Sequence, residues 1–211
     1  MKITPDLEMA KAFINALTGS PDTVMTFQTF SDDKNNKLHR HTRVIHSSLN
    51  EVGAQLIELN KDGAGVFVCP NTTDGRGRGV ENVISVRAIY IDNDDGTPSE
   101  FKVQPNIRVI TAQGSHQYWK LTEAVDDFRF KLAVKLLIPA YGADPAIKRA
   151  NSVLRLPGFF HQKDKDNPLL ITFVDLDQPL VKYEELVEKH KGDGKKSKRA
   201  PKHAPTSPDP T

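Results

Sequence analysis

Two acidic residues directly follow an apolar run, and their type and spacing could bind a metal ion. Asp92 and Asp94 come after the run 88–91 and flank Asn93. Because alternate side chains of a β-strand share a face, the sequence predicts that the two carboxylates lie side by side. Adjacent carboxylates repel each other, and a cation between them removes that repulsion. Mg²⁺ and Mn²⁺ suit such oxygen ligands, together with substrate phosphates. An acidic turn that closes a strand would use the same residues, so the pair alone leaves both interpretations open.

Four residues further along the chain could complete a site for a nucleotide and its metal ions. His116 begins a predicted strand, and Asp144, Arg155 and Lys163 follow it. In a metal-bound triphosphate, carboxylates hold the cations, the cations bridge phosphate oxygens, and Arg and Lys neutralise the remaining charge. Each residue also has a purely structural interpretation: a buried histidine, a helix N-cap at Asp144 before Pro145, or an ion pair of Arg155 on the surface.

The elements that must position these residues are helices and strands in a mixed order. Hydrophobic periodicity predicts helices over 7–17, 49–59, 125–140 and 183–190, and strands over 24–30, 42–46, 65–69, 86–92, 106–111, 116–121 and 169–173. The strands over 106–111 and 116–121 meet at Gln113–Ser115 in a predicted hairpin. This order predicts an α+β domain with an RRM-like, largely antiparallel sheet and flanking helices, rather than a doubly wound parallel sheet.

The composition is that of a soluble globular protein. The chain has 211 residues, enough for one sizeable domain, and 37% of them are hydrophobic and 27% charged. No apolar run is long enough to cross a membrane, and the N-terminus lacks the apolar segment of a signal peptide. Cys69 is the only cysteine, which excludes a disulfide scaffold and a cysteine-ligated zinc site. We therefore expect a cytoplasmic protein without a membrane partner.

The C-terminal end differs from the rest of the chain in charge and composition. From Lys189 onward seven Lys or Arg stand against two Asp, which gives +5 there and leaves −3 on the remainder of a chain whose net charge is +2. Residues 191–211 contain four Pro and show no apolar periodicity, which predicts disorder. The expected organisation is a folded domain over 1–190 and a disordered basic tail over 191–211. Such a tail either meets a polyanion or serves as a solvated linker.

Several short motifs occur in one characteristic order. They are TFQTFSDD at 26–33, GVFVCPN at 65–71, DGRGR at 74–78, VRA at 86–88 before the Asp pair, GSHQYW at 114–119, and RLPGF at 155–159 followed by Lys163. In this set and order, from about Thr26 to Lys163, the chain resembles the archaeo-eukaryotic primase superfamily, which includes primase-polymerases. The likeness is to the RepB-like branch of plasmid and phage DNA primases.

This resemblance implies a role for each candidate residue. The implied catalytic residues are Asp92, Asp94, Asp144 and His116, of which the three aspartates are metal ligands. The implied nucleotide-binding residues are Gly114, Ser115, His116, Arg155 and Lys163, and the implied template contacts are Arg76, Arg78 and Arg87. Two positions depart from the pattern. Lys148 and Arg149 stand where many relatives have a second acid, which leaves the third metal ligand open, and Gly114 stands where the wider superfamily usually has Ser.

The implied activity is nucleotidyl transfer by a primase or primase-polymerase. Such an enzyme joins nucleoside triphosphates on single-stranded DNA with a two-metal Mg²⁺ or Mn²⁺ site, during plasmid, phage or mobile-element replication. Unwinding is expected from a separately encoded helicase.

Two alternatives remain open. His39 and His41 are spaced like the histidine pair of rolling-circle initiators and relaxases, which nick DNA, although Arg40 stands where those motifs have an apolar residue. A non-catalytic module that binds single-stranded or origin DNA would need no acidic cluster.

Overall fold

The computed structural model describes residues 3–33 and 37–193 as a mixture of helices and antiparallel strands. The helices are α1 (Leu7–Thr18), α2 (Leu49–Lys61), α3 (Asp127–Tyr141) and α4 (Tyr183–Lys189). The strands are β1 (Met25–Ser31), β2 (Arg43–Ser47), β3 (Ala64–Cys69), β4 (Thr72–Thr73), β5 (Val83–Asn93), β6 (Ile107–Ile110), β7 (Ser115–Val125), β8 (Leu154–Arg155), β9 (Phe160–His161), β10 (Leu169–Leu170) and β11 (Thr172–Asp175).

The first sheet has the strand order β2-β1-β3-β8, with each pair antiparallel. Helix α1 begins where the Asp6 carboxylate accepts the Met9 N–H, and it ends at Gly19, whose φ of 86° suits glycine. Its apolar residues recur at helical spacing and are buried. Helix α2 packs on β3, and its Leu56 lies in the same core as Phe27 of β1. Helix α2 therefore covers this sheet, and α1 packs against α2 and against β11 of the second sheet.

The second sheet has the strand order β11-β6-β7-β5-β4 and carries the Asp pair. Strands β6 and β7 form the predicted hairpin, and β7 also pairs with the strand that ends at Asn93. The buried face of α3 packs against β5. Tyr90 and Trp119, among the largest side chains of this core, are fully buried. Burial on both faces explains why β5 appears in the sequence as a continuous apolar run.

The observed fold agrees with the predicted class, an α+β domain with largely antiparallel sheets. One predicted strand was wrong, and one structural interpretation is excluded. The strand predicted over 169–173 is two short strands, because the buried Ile171 N–H turns to the carbonyl of Phe159. No helix begins at Asp144, whose carboxylate caps a turn by accepting the Ala146 N–H at 2.9 Å.

The C-terminal end of the described chain is fixed to the domain. The Asp193 carboxylate pairs with the Lys102 ammonium at 2.6 Å, and Tyr141 shares a 2.7 Å hydrogen bond with the buried His190. Residues 194–211, which make up most of the predicted tail, lie outside the described residues. Among the residues that are described, no helix is both long and apolar enough to cross a membrane.

Candidate active site

Asp92 and His116 lie directly opposite each other on neighbouring strands. The antiparallel register of β5 and β7 pairs the two residues, and His116 Nε2 is 3.6 Å from Asp92 Oδ1. Their side chains are 22% and 4% exposed. Both line a pocket of about 160 Å³ between the two sheets. The two candidate residues, 24 positions apart in sequence, are thus brought together by sheet pairing alone.

The other two acids stand at the edge of this arrangement. β5 ends at Asn93, and the exposed Asp94 lies in the turn that follows, where it lines the same pocket as Asp92. The Asp144 N–H donates to the Asp92 carbonyl at 2.7 Å, which brings the two residues close. Within residues 3–33 and 37–193, no three His, Cys, Asp or Glu side chains form a group that could hold a metal ion. The structure therefore brings two candidate carboxylates to one pocket and leaves Asp144 beside it.

The electrostatic state of Asp92 reflects its crowded position. Its pKa is raised to about 7, chiefly by burial and also by the charges of Asp94 and Asp144, against an opposing effect of Arg155. A carboxyl group in this condition is stabilised by any cation that enters the pocket. The donor set of two carboxylates facing a cleft suits a hard divalent ion whose remaining ligands come from water and substrate phosphates.

His116 is held in its neutral form. Its pKa is lowered to about 3, chiefly by burial and also by the positive charge of Arg155. Its approach to Asp92 is therefore not an ion pair at neutral pH. Its Nδ1 atom is buried and, within the described part of the chain, makes no hydrogen bond. An unpaired buried nitrogen is costly unless a partner arrives, which is a common property of binding sites.

Arg155 forms the opposite wall of the pocket, on β8. Its guanidinium donates to both oxygens of Asp32, at 2.8 Å from Nη2 to Oδ1 and 3.3 Å from Nη1 to Oδ2. It also lies over the ring of Phe67, 4.7 Å from the ring centre. The surface ion pair considered from the sequence is thus a buried one, with side chains 16% and 3% exposed.

Lys163, another predicted nucleotide contact, lies beside the pocket rather than in it. It is exposed and lines an adjoining cavity of about 430 Å³, which shares Ala112, Gln113 and His161 with the first pocket. Ser115 precedes His116 on β7, so its side chain points to the opposite face of the strand. Its hydroxyl contacts Thr97 and Gln117. It does not line the pocket.

Gly114 has a steric reason to be glycine. A Cβ atom there would lie 1.7 Å from the Asn93 carbonyl oxygen. The β6–β7 turn therefore packs directly against the end of the strand that carries Asp92. This close approach links the turn to the shape of the pocket.

The three predicted template contacts differ in how accessible they are. Arg76 is exposed in the Gly-rich loop. Arg78 donates to Gln28 Oε1 at 3.0 Å and to the Asn151 carbonyl at 3.2 Å. Arg87 is half-buried, donates to the Thr72 hydroxyl, and has a pKa lowered by burial. Of the three, Arg76 presents its charge most openly to solvent.

The structure does not support the histidine pair of a nicking enzyme. His41 is buried and is held between Asp62, at 2.8 Å from Nε2, and the Ser31 hydroxyl, at 2.9 Å from Nδ1. His39 is exposed. The two histidines therefore have different surroundings, and both ring nitrogens of His41 are occupied by contacts with Asp62 and Ser31.

Three residues at the pocket were not singled out from the sequence. Asp32 and Phe67 hold Arg155, and His161 lines both cavities. Asp32 and Phe67 lie inside the motifs at 26–33 and 65–71, which was the available signal. Their contact with a residue about a hundred positions later could not be derived from local pattern.

Comparison with known proteins gives the same family for the chain as its motifs do. Residues 56–196 match the model of the RepB DNA-primase N-terminal domain, which is more than half of the chain. No curated protein matches the sequence.

Solved structures match the fold at low sequence identity. The AEP domain of the primase-polymerase of cyanophage S-2L matches with a TM-score of 0.70 and 18% identity, over 89% of this chain and all of that domain. Primase RepB′ matches with a TM-score of 0.65 and 15% identity, over 87% of this chain and 61% of that one. The catalytic domain of RepB′ in complex with initiator DNA matches with a TM-score of 0.61 and 17% identity, over 87% of this chain and 92% of that one.

The ordered motifs, the fold and the family model therefore agree: the chain belongs to the RepB DNA-primase N-terminal domain family.

Proposed function

We propose that this domain joins nucleoside triphosphates on a single-stranded DNA template, as a primase or primase-polymerase. The observation that carries the proposal is the pocket between the two sheets, where Asp92 and Asp94 face His116 and Arg155. Carboxylates on one wall and a guanidinium on the other suit a triphosphate with divalent cations. The fold shared with a phage primase-polymerase and with RepB′ supports this proposal, as does the family match.

Each residue at the pocket has a distinct task in the proposed reaction. Asp92 and Asp94, with Asp144 as the candidate third ligand, hold Mg²⁺ or Mn²⁺, which would lower the cost of attack on the α-phosphate and stabilise the leaving pyrophosphate. Arg155 donates to phosphate oxygens as a fixed fork. His116, which is neutral, donates one N–H to an anionic oxygen.

The proposed partners follow from the same surfaces. Lys163, in the adjoining cavity, is placed to neutralise further phosphate charge. Arg76, Arg78 and Arg87 are the proposed contacts to the template backbone, where positive charge binds without reading sequence. The catalytic domain of RepB′, which shares this fold, was solved in complex with initiator DNA, and this supports a DNA partner. The proposed setting is replication of a plasmid, a phage or another mobile element, with a separately encoded helicase.

The test is synthesis of labelled products from nucleoside triphosphates, single-stranded DNA and Mg²⁺ or Mn²⁺, with product lengths measured on a gel. We expect chains to form with the wild type and to be lost with Asp92→Ala combined with Asp94→Ala. The matched control is Asp95→Ala. Asp95 lies in the same turn, but its exposed carboxylate lines the cavity on the other side of β5. Wild-type synthesis by the double variant would refute the assignment.

A second measurement separates nucleotide binding from template binding. Arg155→Ala should weaken nucleotide affinity by roughly 10-fold or more, since a charge-assisted bidentate contact is lost. Affinity for single-stranded DNA should change little. Equal losses of both affinities would make Arg155 a structural or template residue.

A further inference from the structure

Asp32, immediately after β1, is a buried charge that the proposed reaction does not use directly. Its side chain is only 3% exposed, although aspartate is rarely buried. A carboxylate in such a place is costly unless it is paired and hydrogen-bonded. Asp32 therefore needs a specific reason to be where it is.

The carboxylate of Asp32 links the end of β1 to the distant stretch 155–162. Its Oδ1 accepts from Arg155 Nη2 at 2.8 Å, and its Oδ2 accepts from Arg155 Nη1 at 3.3 Å. Oδ2 also accepts the Gln162 N–H at 2.8 Å. A bidentate pair of this kind fixes the plane of the guanidinium as well as its position. The Arg155 side chain consequently has little freedom to turn.

Two neighbouring residues restrict Arg155 further. The ring of Phe67 lies under the guanidinium, 4.7 Å from its central carbon to the ring centre. Gly65 leaves room for the pair, because a Cβ at that position would lie 2.4 Å from Asp32 Oδ1 and 2.9 Å from Arg155 Nη1. The missing side chain of Gly65 is thus a condition for the pairing.

The restrained guanidinium keeps unused donors at the pocket. Arginine has five N–H groups, and the pair with Asp32 uses two of them. Arg155 lines the same pocket as Asp92, Asp94 and His116. A side chain that is already ordered loses less freedom when a ligand binds, which strengthens binding.

We propose that Asp32 is the positioning residue for Arg155: it holds the guanidinium in the orientation that receives the triphosphate of the incoming nucleotide. The inference rests on the proposed function, in which Arg155 contacts phosphate. It adds that affinity for nucleotide depends on a carboxylate that never touches the substrate.

The test is the kinetics of nucleotide joining by Asp32→Asn, which keeps the shape of the side chain and removes its charge. We expect the KM for nucleotide to rise roughly 10- to 100-fold, the range for loss of an outer partner of a binding residue, with a smaller change in kcat. The matched control is Asp33→Asn, since Asp33 pairs with Lys165 at 2.9 Å. The control should keep a wild-type KM.

A double variant distinguishes positioning from a general loss of structure. If Asp32 acts through Arg155, then Asp32→Asn added to Arg155→Ala should not raise the KM further. Additive increases would overturn the inference. If Arg155→Ala itself leaves nucleotide affinity unchanged, the failure lies with the proposed function of Arg155. If Arg155→Ala weakens affinity and a folded Asp32→Asn does not, the failure lies with Asp32.

A second variant tests the same role of Asp32 without removing a buried charge. Gly65→Ala keeps both partners and places a methyl group against their contact. We expect it to raise the KM for nucleotide in the same direction, with melting followed to confirm that the protein is folded. A folded Gly65→Ala with a wild-type KM would overturn the proposal even if Asp32→Asn cannot be purified.

Discussion

In metal-free protein, the change Asp92→Asn should stabilise the fold at alkaline pH and have little effect at acid pH. The Asp92 side chain is 22% exposed, and burial together with the charges of Asp94 and Asp144 raises its pKa to about 7. Above that pH the folded protein must carry a poorly solvated negative charge. The asparagine variant does not carry it.

The magnitude follows from the difference between the folded and unfolded states. A pKa that rises from 3.8 to about 7 on folding corresponds to about 4 kcal/mol. Because folding raises the pKa of Asp92, the protein has its full free energy of unfolding below pH 3.8. That free energy falls as the pH rises from 3.8 to about 7, and it is lowest above about pH 7. Removing the charge should therefore recover up to about 4 kcal/mol, or roughly 10 °C in Tm for a chain of this size.

The assay is thermal unfolding in a chelator at about pH 8 and about pH 4, with Asp95→Asn as the control. We expect a large rise in Tm for Asp92→Asn at the higher pH, a small one at the lower pH, and none for the control. Added Mg²⁺ should raise the Tm of the wild type and not that of Asp92→Asn. Equal shifts for the two variants at alkaline pH, or destabilisation by Asp92→Asn at both values, would refute the reasoning.

Three other predictions concern separate parts of the chain. Gly114→Ala should lower stability by roughly 1–3 kcal/mol and reduce nucleotide joining, because the added Cβ meets the Asn93 carbonyl; unchanged melting and activity would contradict the close approach. The thiol of Cys69, buried and with its pKa raised to about 11, should react with a thiol reagent at about pH 8 only after unfolding, and rapid reaction of the native protein would contradict its burial. Its raised pKa also means that stability falls as the pH increases from 9.0 toward about 11. Deletion of residues 194–211 should flatten the dependence of DNA affinity on salt, since it removes five Lys or Arg; an unchanged slope would make the segment a spacer.

Much of the fold could be predicted because local pattern and sheet pairing agree. The apolar run before Asp92 is buried on both faces, and the turn at Gln113–Ser115 separates two strands that do pair. The structure adds a relation that the sequence did not specify, since β7 pairs directly with β5 and sets His116 opposite Asp92.

The remainder of the site depends on contacts between distant segments. Asp32 and Arg155 are 123 residues apart and meet only because β1, β3 and β8 share a sheet. The side chain of Ser115 is turned from the pocket by strand alternation, which the motif alone does not reveal. Asp144 is brought to Asp92 by a backbone hydrogen bond, and no sequence pattern signals such a contact.

The central claim is that Asp92 and Asp94 hold the cations that act on a bound triphosphate. The most direct measurement is anomalous diffraction from crystals grown with Mn²⁺ and a nucleotide whose α-phosphate cannot be attacked. The account predicts Mn²⁺ at roughly 2.0–2.6 Å from carboxylate oxygens of both residues, with Arg155 on a phosphate oxygen. A nucleotide bound instead in the cavity of about 650 Å³ on the other side of β5, lined by Asn93 and Tyr141, would contradict it, as would Mn²⁺ bound only elsewhere.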